Sequence, residues 1–224
     1  MSRGKLAFAT AALTALTVTP AFAQTEKING ADTAWMIGAT GLVLMMTIPG
    51  LALFYAGMVR KKNVLATMAQ SLAATFVVSI LWAIIGYSLT FVGGGDIIGS
   101  LGRVFLIGMT PHAISPWAKT IPEALFMIYQ MTFAIITVAL VAGSVADRLR
   151  FSAYLMFCVL WLLFVYVPIA HWVWGGGFLG LYGTIDFAGG LVVHLNAGIA
   201  GLVAAGVDRP LGLGRRFPRP VRHH

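Results

Sequence analysis

Apolar residues occur in five long runs, separated by connections that are polar, basic or rich in glycine. Each run is near or above the roughly 20 residues that a helix needs to cross the hydrocarbon core of a bilayer. The pattern therefore predicts an all-α, polytopic membrane protein with five transmembrane helices. Their expected positions are about Ala34–Val59, Val64–Val92, Pro122–Ala146, Phe151–Ala170 and Phe187–Val207.

The amino-terminal segment has the pattern of an export signal. Arg3 and Lys5 precede a short apolar run over Leu6–Val18, and Ala21–Ala23 offers small residues for cleavage. Because this run is too short to cross a bilayer, an uncleaved first span is the weaker alternative. We predict a cleaved signal peptide over residues 1–23.

Basic residues in the connections predict the orientation of the helices. Ten of them follow the first, third and fifth predicted helices, whereas the opposite side of the mature chain has Lys27, Arg103 and Lys119. Lysine and arginine are enriched on the cytoplasmic side of membrane proteins. We therefore expect a bacterial inner-membrane protein with a periplasmic amino terminus and a cytoplasmic tail over 209–224. A cleaved export signal requires the same orientation.

The composition agrees with a membrane protein and excludes several other classes. Of the 224 residues, 59% are hydrophobic and 10% charged, and the mean hydropathy is +0.88. Such a chain is too apolar for intrinsic disorder, and its single cysteine, Cys158, excludes a disulfide scaffold. The net charge of +8 does not predict nucleic-acid binding, because the basic residues lie in short connections rather than on a continuous soluble surface.

Two polar residues of the fifth predicted helix need an explanation. Asp186 stands at its start, where a carboxylate can cap the helix or favour an incoming cation, and capping is the simpler interpretation. If the helix begins there, His194 lies about 12 Å deeper, near the membrane centre. Small residues share its helix face, so we expect this face to pack against protein. His194 is then either a structural histidine that hydrogen-bonds between helices or a functional residue. The face comprises Gly190, Ala197, Gly198, Gly201 and Ala205.

Aromatic residues gather at the outer ends of the predicted helices. Tyr129 and Phe133 are four residues apart on the third helix, and Trp172 and Trp174 precede a run of three glycines. Aromatic residues at the ends of membrane helices often anchor the helix in the lipid headgroup region. The alternative is a vestibule in which ring faces bind a cation, each contact contributing about 0.5 to 2 kcal/mol.

Five segments in a fixed order resemble motifs of the ammonium transporter family (Amt/Mep/Rh), and the resemblance covers about Ala34 to Val207. The segments are Thr47–Gly57, Arg60–Leu65, Ala146–Phe151, Pro168–Gly177 and Asp186–Ala197.

The resemblance implies a trimeric ammonium channel in which each subunit has its own apolar pore. It places the outer ammonium site at Trp174, Tyr129 and Phe133, with Phe133 also as the gate ring, although family members often have phenylalanine in place of Tyr129. It makes Asp186 the buried acid of that site and His194 the first of two pore histidines. Ammonium would be recruited at the periplasmic face and deprotonated, and ammonia would cross. We interpret His171, which also lies in a family motif, as structural.

The family fold is an inverted repeat of two five-helix halves, and residues 24–208 resemble the first half alone. The second pore histidine, the second gate phenylalanine and the carboxyl-terminal region that a PII-type regulator would contact have no counterpart. Residues 209–224 diverge from the family, which suggests a truncated or frameshifted reading frame, or a short chain that pairs with another half. The alternative to a transporter is a non-transporting fragment or an ammonium-sensing membrane module.

Other chemistry has little support in the sequence. Haem ligation normally needs paired histidines in the membrane, and His194 stands alone in its span. His223 and His224 at the terminus are weak evidence for a metal site. We expect no metal, no cofactor and no enzymatic activity; the expected partners are ammonium or ammonia, the lipid bilayer and further copies of the chain.

Overall fold

The fold was analysed in a computed structural model, which describes residues 27–146 and 148–207. It comprises six helices, a short 3₁₀ helix at Val104–Leu106 and a two-stranded hairpin in these residues. The helices are α1 (Gly30–Met58), α2 (Lys61–Phe91), α3 (Glu123–Val145), α4 (151–174), α5 (Phe178–Leu181) and α6 (190–207), and the strands are β1 (Ile114–Ser115) and β2 (Ala118–Pro122). The predicted signal peptide, Asp147 and the basic tail over 209–224 lie outside the described residues.

The expected helical membrane fold is confirmed. Among the described residues, α1, α2, α3 and α4 with its extension through α5 are long and apolar enough to cross a membrane, whereas α6 is a shorter apolar helix. The predicted spans agree with these helices to within a few residues at most ends. The fifth span, expected from Phe187, begins at Gly190 as α6.

Wide π-helical turns interrupt α1, α2 and α4 and form the first part of α6. In α1 the turn spans Met46–Leu51 and contains Pro49. Proline has no backbone N–H and its ring displaces the preceding turn, so a regular helix cannot continue through it. The π-helical turn accommodates this defect, and α1 resumes at Ala52.

Helix α3 is the centre of the bundle and contacts α1, α2 and α6. Close approach between α1 and α3 depends on a glycine: a Cβ atom on Gly143 would overlap the ring of Tyr55. The Tyr55 hydroxyl donates a hydrogen bond to the backbone oxygen of Leu140 over 2.7 Å. Small residues and interhelical hydrogen bonds of this kind are the usual basis of helix packing in membranes.

His171, which is 2% exposed, joins the carboxyl-terminal ends of α2 and α4. Its Nδ1 lies 2.7 Å from the backbone oxygen of Thr90, and its Nε2 lies 2.8 Å from that of Gly95. At Gly175 there is no room for a side chain, because a Cβ atom would overlap the Thr90 oxygen. These contacts agree with a structural role for His171, which holds the end of α4 against the loop that follows α2.

An ion pair fastens the same loop to the start of α3. Arg103 donates to both carboxylate oxygens of Glu123, over 3.1 and 3.0 Å, and Tyr87 donates to one of them over 3.1 Å. Glu123 is 4% exposed, so its charge is neutralised inside the protein rather than by water. The network joins α2, α3 and the loop between them below the outer surface.

Candidate functional site

A pocket of about 280 Å³ opens between the start of α3, the end of α4 and the segment that precedes α6. The basic connections predict that this end of the bundle faces outward, and we call the cavity the outer pocket. It brings together the four residues that the resemblance assigned to the outer site, Tyr129, Phe133, Trp174 and Asp186. The remaining lining residues are Phe91, Trp117, Phe126, Gln130, Phe187 and Ala188.

Three aromatic rings form a continuous wall of this pocket. The ring centroids of Tyr129 and Phe133 are 5.0 Å apart with planes at 85°, and those of Phe133 and Trp174 are 5.9 Å apart with planes at 70°. Both are edge-to-face arrangements, in which the positive edge of one ring meets the negative face of the next. Ring faces that remain open to the pocket carry the negative potential that attracts a cation.

Trp174 is held in place by the chain around Asp186. Its indole N–H donates a 2.8 Å hydrogen bond to the backbone oxygen of Asp186. The tryptophan therefore stays beside Phe133 instead of turning toward the headgroups as an interfacial anchor.

The carboxylate of Asp186 organises the start of α6. One oxygen accepts hydrogen bonds from the backbone N–H groups of Gly189 and Gly190, and the other accepts from Leu191 and Val192, all four between 2.7 and 2.9 Å. An ionised carboxylate has about four acceptor positions, so these bonds occupy its hydrogen-bonding capacity. The geometry agrees with the capping interpretation, although Asp186 lies ahead of the helix and not at its first residue.

Gly189 makes this capping loop possible. Its φ of 83° is in the left-handed region, where residues with a side chain are strained. A Cβ atom there would also lie 2.7 Å from the side chain of Val193. The chain can therefore fold back beneath the Asp186 carboxylate only with glycine at this position.

The structure does not bring His194 to the outer pocket. The expected depth of about 12 Å was counted along a helix from Asp186, and α6 begins at Gly190, so that count does not apply. The side chain of His194 is exposed in the described chain. Other members of its helix face are covered by protein, since Ala197 is buried and Gly201 lies against Ser144 of α3.

Sequence reasoning missed six residues that line the pocket, and two of them, Trp117 and Gln130, carry polar side-chain groups. Trp117, in the hairpin before α3, donates a 2.8 Å hydrogen bond to the backbone oxygen of Phe91 and lies over Gly176. No periodicity marks this loop position. Gln130 was recognisable, because it is a polar residue inside an apolar span directly after Tyr129.

Comparisons with known proteins place the chain among ammonium transporters. The profile of the Ammonium Transporter Family matches residues 34–220. A putative ammonium transporter of Methanothermobacter thermautotrophicus is 50% identical over 185 residues, which are 82% of this chain and 45% of the relative. The ammonium transporter of Bacillus subtilis is 51% identical over 176 residues, or 78% of this chain and 43% of the relative.

Solved structures agree with the sequence relatives. Candida albicans Mep2 has a TM-score of 0.71 at 40% identity, over 79% of this chain and 39% of Mep2. A structure titled Sensor Amt Protein has the same TM-score at 25% identity, over 79% of this chain and 44% of that one. The chain spans less than half the length of each of these proteins. With its apolar helices and a match over most of its length, this multi-pass membrane chain belongs to the Ammonium Transporter Family, a family of transporters and not of enzymes.

Proposed function

We propose that this chain forms one of the two halves of an ammonium transport pore and contains the outer site that recruits the cation. The observation that carries the proposal is the pocket in which the rings of Tyr129, Phe133 and Trp174 converge beside Asp186. Aromatic faces bind ammonium-type cations, and a carboxylate near the mouth raises the local cation concentration. The names of the relatives, which are ammonium transporters, support ammonium as the substrate.

Ammonium loses its charge before it passes the apolar part of the pore. Cation–π contacts return about 0.5 to 2 kcal/mol each, which is far less than the cost of burying an unpaired ion in an apolar channel. At the mouth ammonium gives its proton to water outside the pore, which removes that cost, and neutral ammonia passes Phe133. Potassium has no proton to lose and stays outside. In this proposal His194 lines the pore below, where an imidazole donates and accepts hydrogen bonds without a permanent charge.

A second five-helix unit completes the pore in our proposal. The His194 side chain is exposed in the described chain, and Leu195 and Ile199 on the same helix are each 55% exposed. The relatives are more than twice as long as the matched segment. The family fold that the resemblance implies has an inverted second half, which would lie against these exposed side chains of α6. We further propose an inner-membrane homotrimer with the pocket on the periplasmic side. A PII-type regulator is not proposed, because its contacts belong to the carboxyl-terminal region of the family.

The second candidate is an ammonium sensor. Every residue that lines the outer pocket belongs to the described part of this chain, so the pocket does not need the second unit in order to form. The likeness to the structure titled Sensor Amt Protein favours this candidate as well. A sensor would bind the cation and conduct none.

The test co-expresses this chain with the carboxyl-terminal half of the Bacillus subtilis relative and measures saturable uptake of radiolabelled methylammonium. We expect Trp174→Leu, Asp186→Asn and His194→Leu each to abolish most of the uptake. Phe54→Leu, at an exposed aromatic residue of α1 outside the pocket, is the matched control and should leave uptake unchanged. Normal uptake after substitution of both Asp186 and His194 would refute the assignment of the site.

A further inference from the structure

Gln130 is one of the residues that line the outer pocket, and its side-chain amide oxygen has no hydrogen-bond partner among the described residues. Within residues 27–146 and 148–207, its Oε1 atom is buried and unpaired. The residue lies on α3 directly after Tyr129, and both residues also line a second cavity of about 310 Å³ beside α1. A polar atom that is both buried and unpaired is destabilising, and it calls for an explanation such as a missing ligand.

The aromatic rings and Asp186 do not supply the pocket with a free hydrogen-bond acceptor for a cation. Ring faces attract any cation of suitable size and do not distinguish one with N–H groups from one without. The four backbone bonds to Asp186 occupy its carboxylate oxygens, so this acid contributes charge more readily than an additional hydrogen bond. An amide oxygen at Gln130 supplies the directional acceptor that the rings and the acid do not.

We propose that Gln130 accepts a hydrogen bond from an N–H group of the bound cation and so makes the outer pocket selective for protonated amines. This inference rests on the proposed function, because it assumes that the pocket binds ammonium-type cations. It assigns separate roles: the rings bind the charge, and Gln130 recognises the N–H group. A cation without N–H groups should therefore bind without assistance from Gln130.

The experiment compares two probes on the purified full chain in detergent. Methylammonium carries three N–H groups, and tetramethylammonium carries none but binds to aromatic rings. Tryptophan fluorescence and saturation-transfer NMR each report binding as the probe is titrated. Gln130→Met removes the acceptor at similar length, and Gln130→Glu retains an acceptor. Gln70→Met is the matched control, because Gln70 also has a buried, unpaired Oε1 but lies on α2 outside the pocket.

We expect Gln130→Met to weaken methylammonium binding about tenfold or more, as for loss of a hydrogen bond to a charged group, and to change tetramethylammonium binding by less than about twofold. Gln130→Glu should bind methylammonium at least as well as the parent chain, and Gln70→Met should bind both probes normally. Thermal unfolding of each variant checks that it folds. If Gln130→Met does not fold, the test depends on Gln130→Glu. Weaker methylammonium binding by that variant than by the parent chain overturns the proposal.

Two further results separate this inference from the proposed function. If the parent chain binds neither probe, the proposed function is wrong. If the parent binds both probes and Gln130→Met leaves methylammonium binding unchanged, or lowers both equally, the proposed function survives and the role of Gln130 is overturned.

Discussion

The indole N–H of Trp174 donates a hydrogen bond to the backbone oxygen of Asp186 over 2.8 Å, while the side chain of the same aspartate holds the first turn of α6. The residue that shapes the entry to α6 is therefore also the residue that positions a wall of the outer pocket. Stability and cation binding are coupled at this position, and substitutions there should change both.

Asp186→Asn should destabilise the chain and weaken cation binding together. The amide oxygen can replace one carboxylate oxygen, but the amide nitrogen then faces two backbone N–H groups that lose their acceptor. Loss of two charge-assisted bonds should cost roughly 3 kcal/mol of unfolding free energy. Chemical denaturation in detergent measures this cost. Asp32→Asn, at an exposed carboxylate of α1, is the control, and equal losses in the two variants would contradict the capping role.

Trp174→Leu should lower the affinity for both methylammonium and tetramethylammonium by about three- to thirtyfold, because it removes a ring face from the pocket. Trp174→Phe retains a ring and should lie between the parent and the leucine variant. Fluorescence is altered by the substitution itself, so saturation-transfer NMR is the measurement. Unchanged affinity in the leucine variant would remove Trp174 from the cation site.

The Arg103–Glu123 pair should show strong coupling in a double-mutant cycle. Arg103→Met alone leaves a buried carboxylate without its cation and should lower the free energy of unfolding by about 3 to 5 kcal/mol. The double variant Arg103→Met, Glu123→Gln leaves no unpaired charge, so it should lose less unfolding free energy than the sum of the two single variants. Chemical denaturation of the three variants gives the coupling energy. Additive losses would show that the ion pair does not hold the loop to α3.

Cysteine labelling should place the two ends of the bundle on opposite sides of the membrane. Cys158 is the single cysteine of the chain and is buried, so it gives little background. A membrane-impermeant maleimide should label Tyr182→Cys in intact cells and Lys62→Cys only after permeabilisation, since both positions are exposed and the basic connection should be cytoplasmic. The reverse order of labelling would invert the proposed orientation.

The membrane-spanning helices were predictable from the sequence, because each apolar run is long enough to cross a bilayer as a helix. The predicted bounds of α3 differ from the observed bounds by one residue at each end. The outer site was predictable in part, since Tyr129 and Phe133 share a helix face by spacing alone. The contribution of Trp174 and Asp186 depended on the family resemblance.

Features that depend on tertiary contacts were not predictable. The start of α6 is set by side-chain bonds from Asp186 across the left-handed Gly189, and no hydropathy pattern records them. The exposure of His194 was not predictable either, because Gly201 on the same helix face does lie against Ser144 of α3. Trp117 reaches the pocket because its loop folds back over Phe91 and Gly176, which sequence spacing does not reveal.

The most direct test of the account reconstitutes this chain into liposomes, alone and together with the carboxyl-terminal half of a relative, and follows radiolabelled methylammonium. We predict that the chain alone binds the cation at the outer pocket but takes up no more than empty liposomes, and that the second unit restores saturable uptake. Saturable uptake by the chain alone, abolished by Trp174→Leu, would contradict the claim that this chain is one half of a pore.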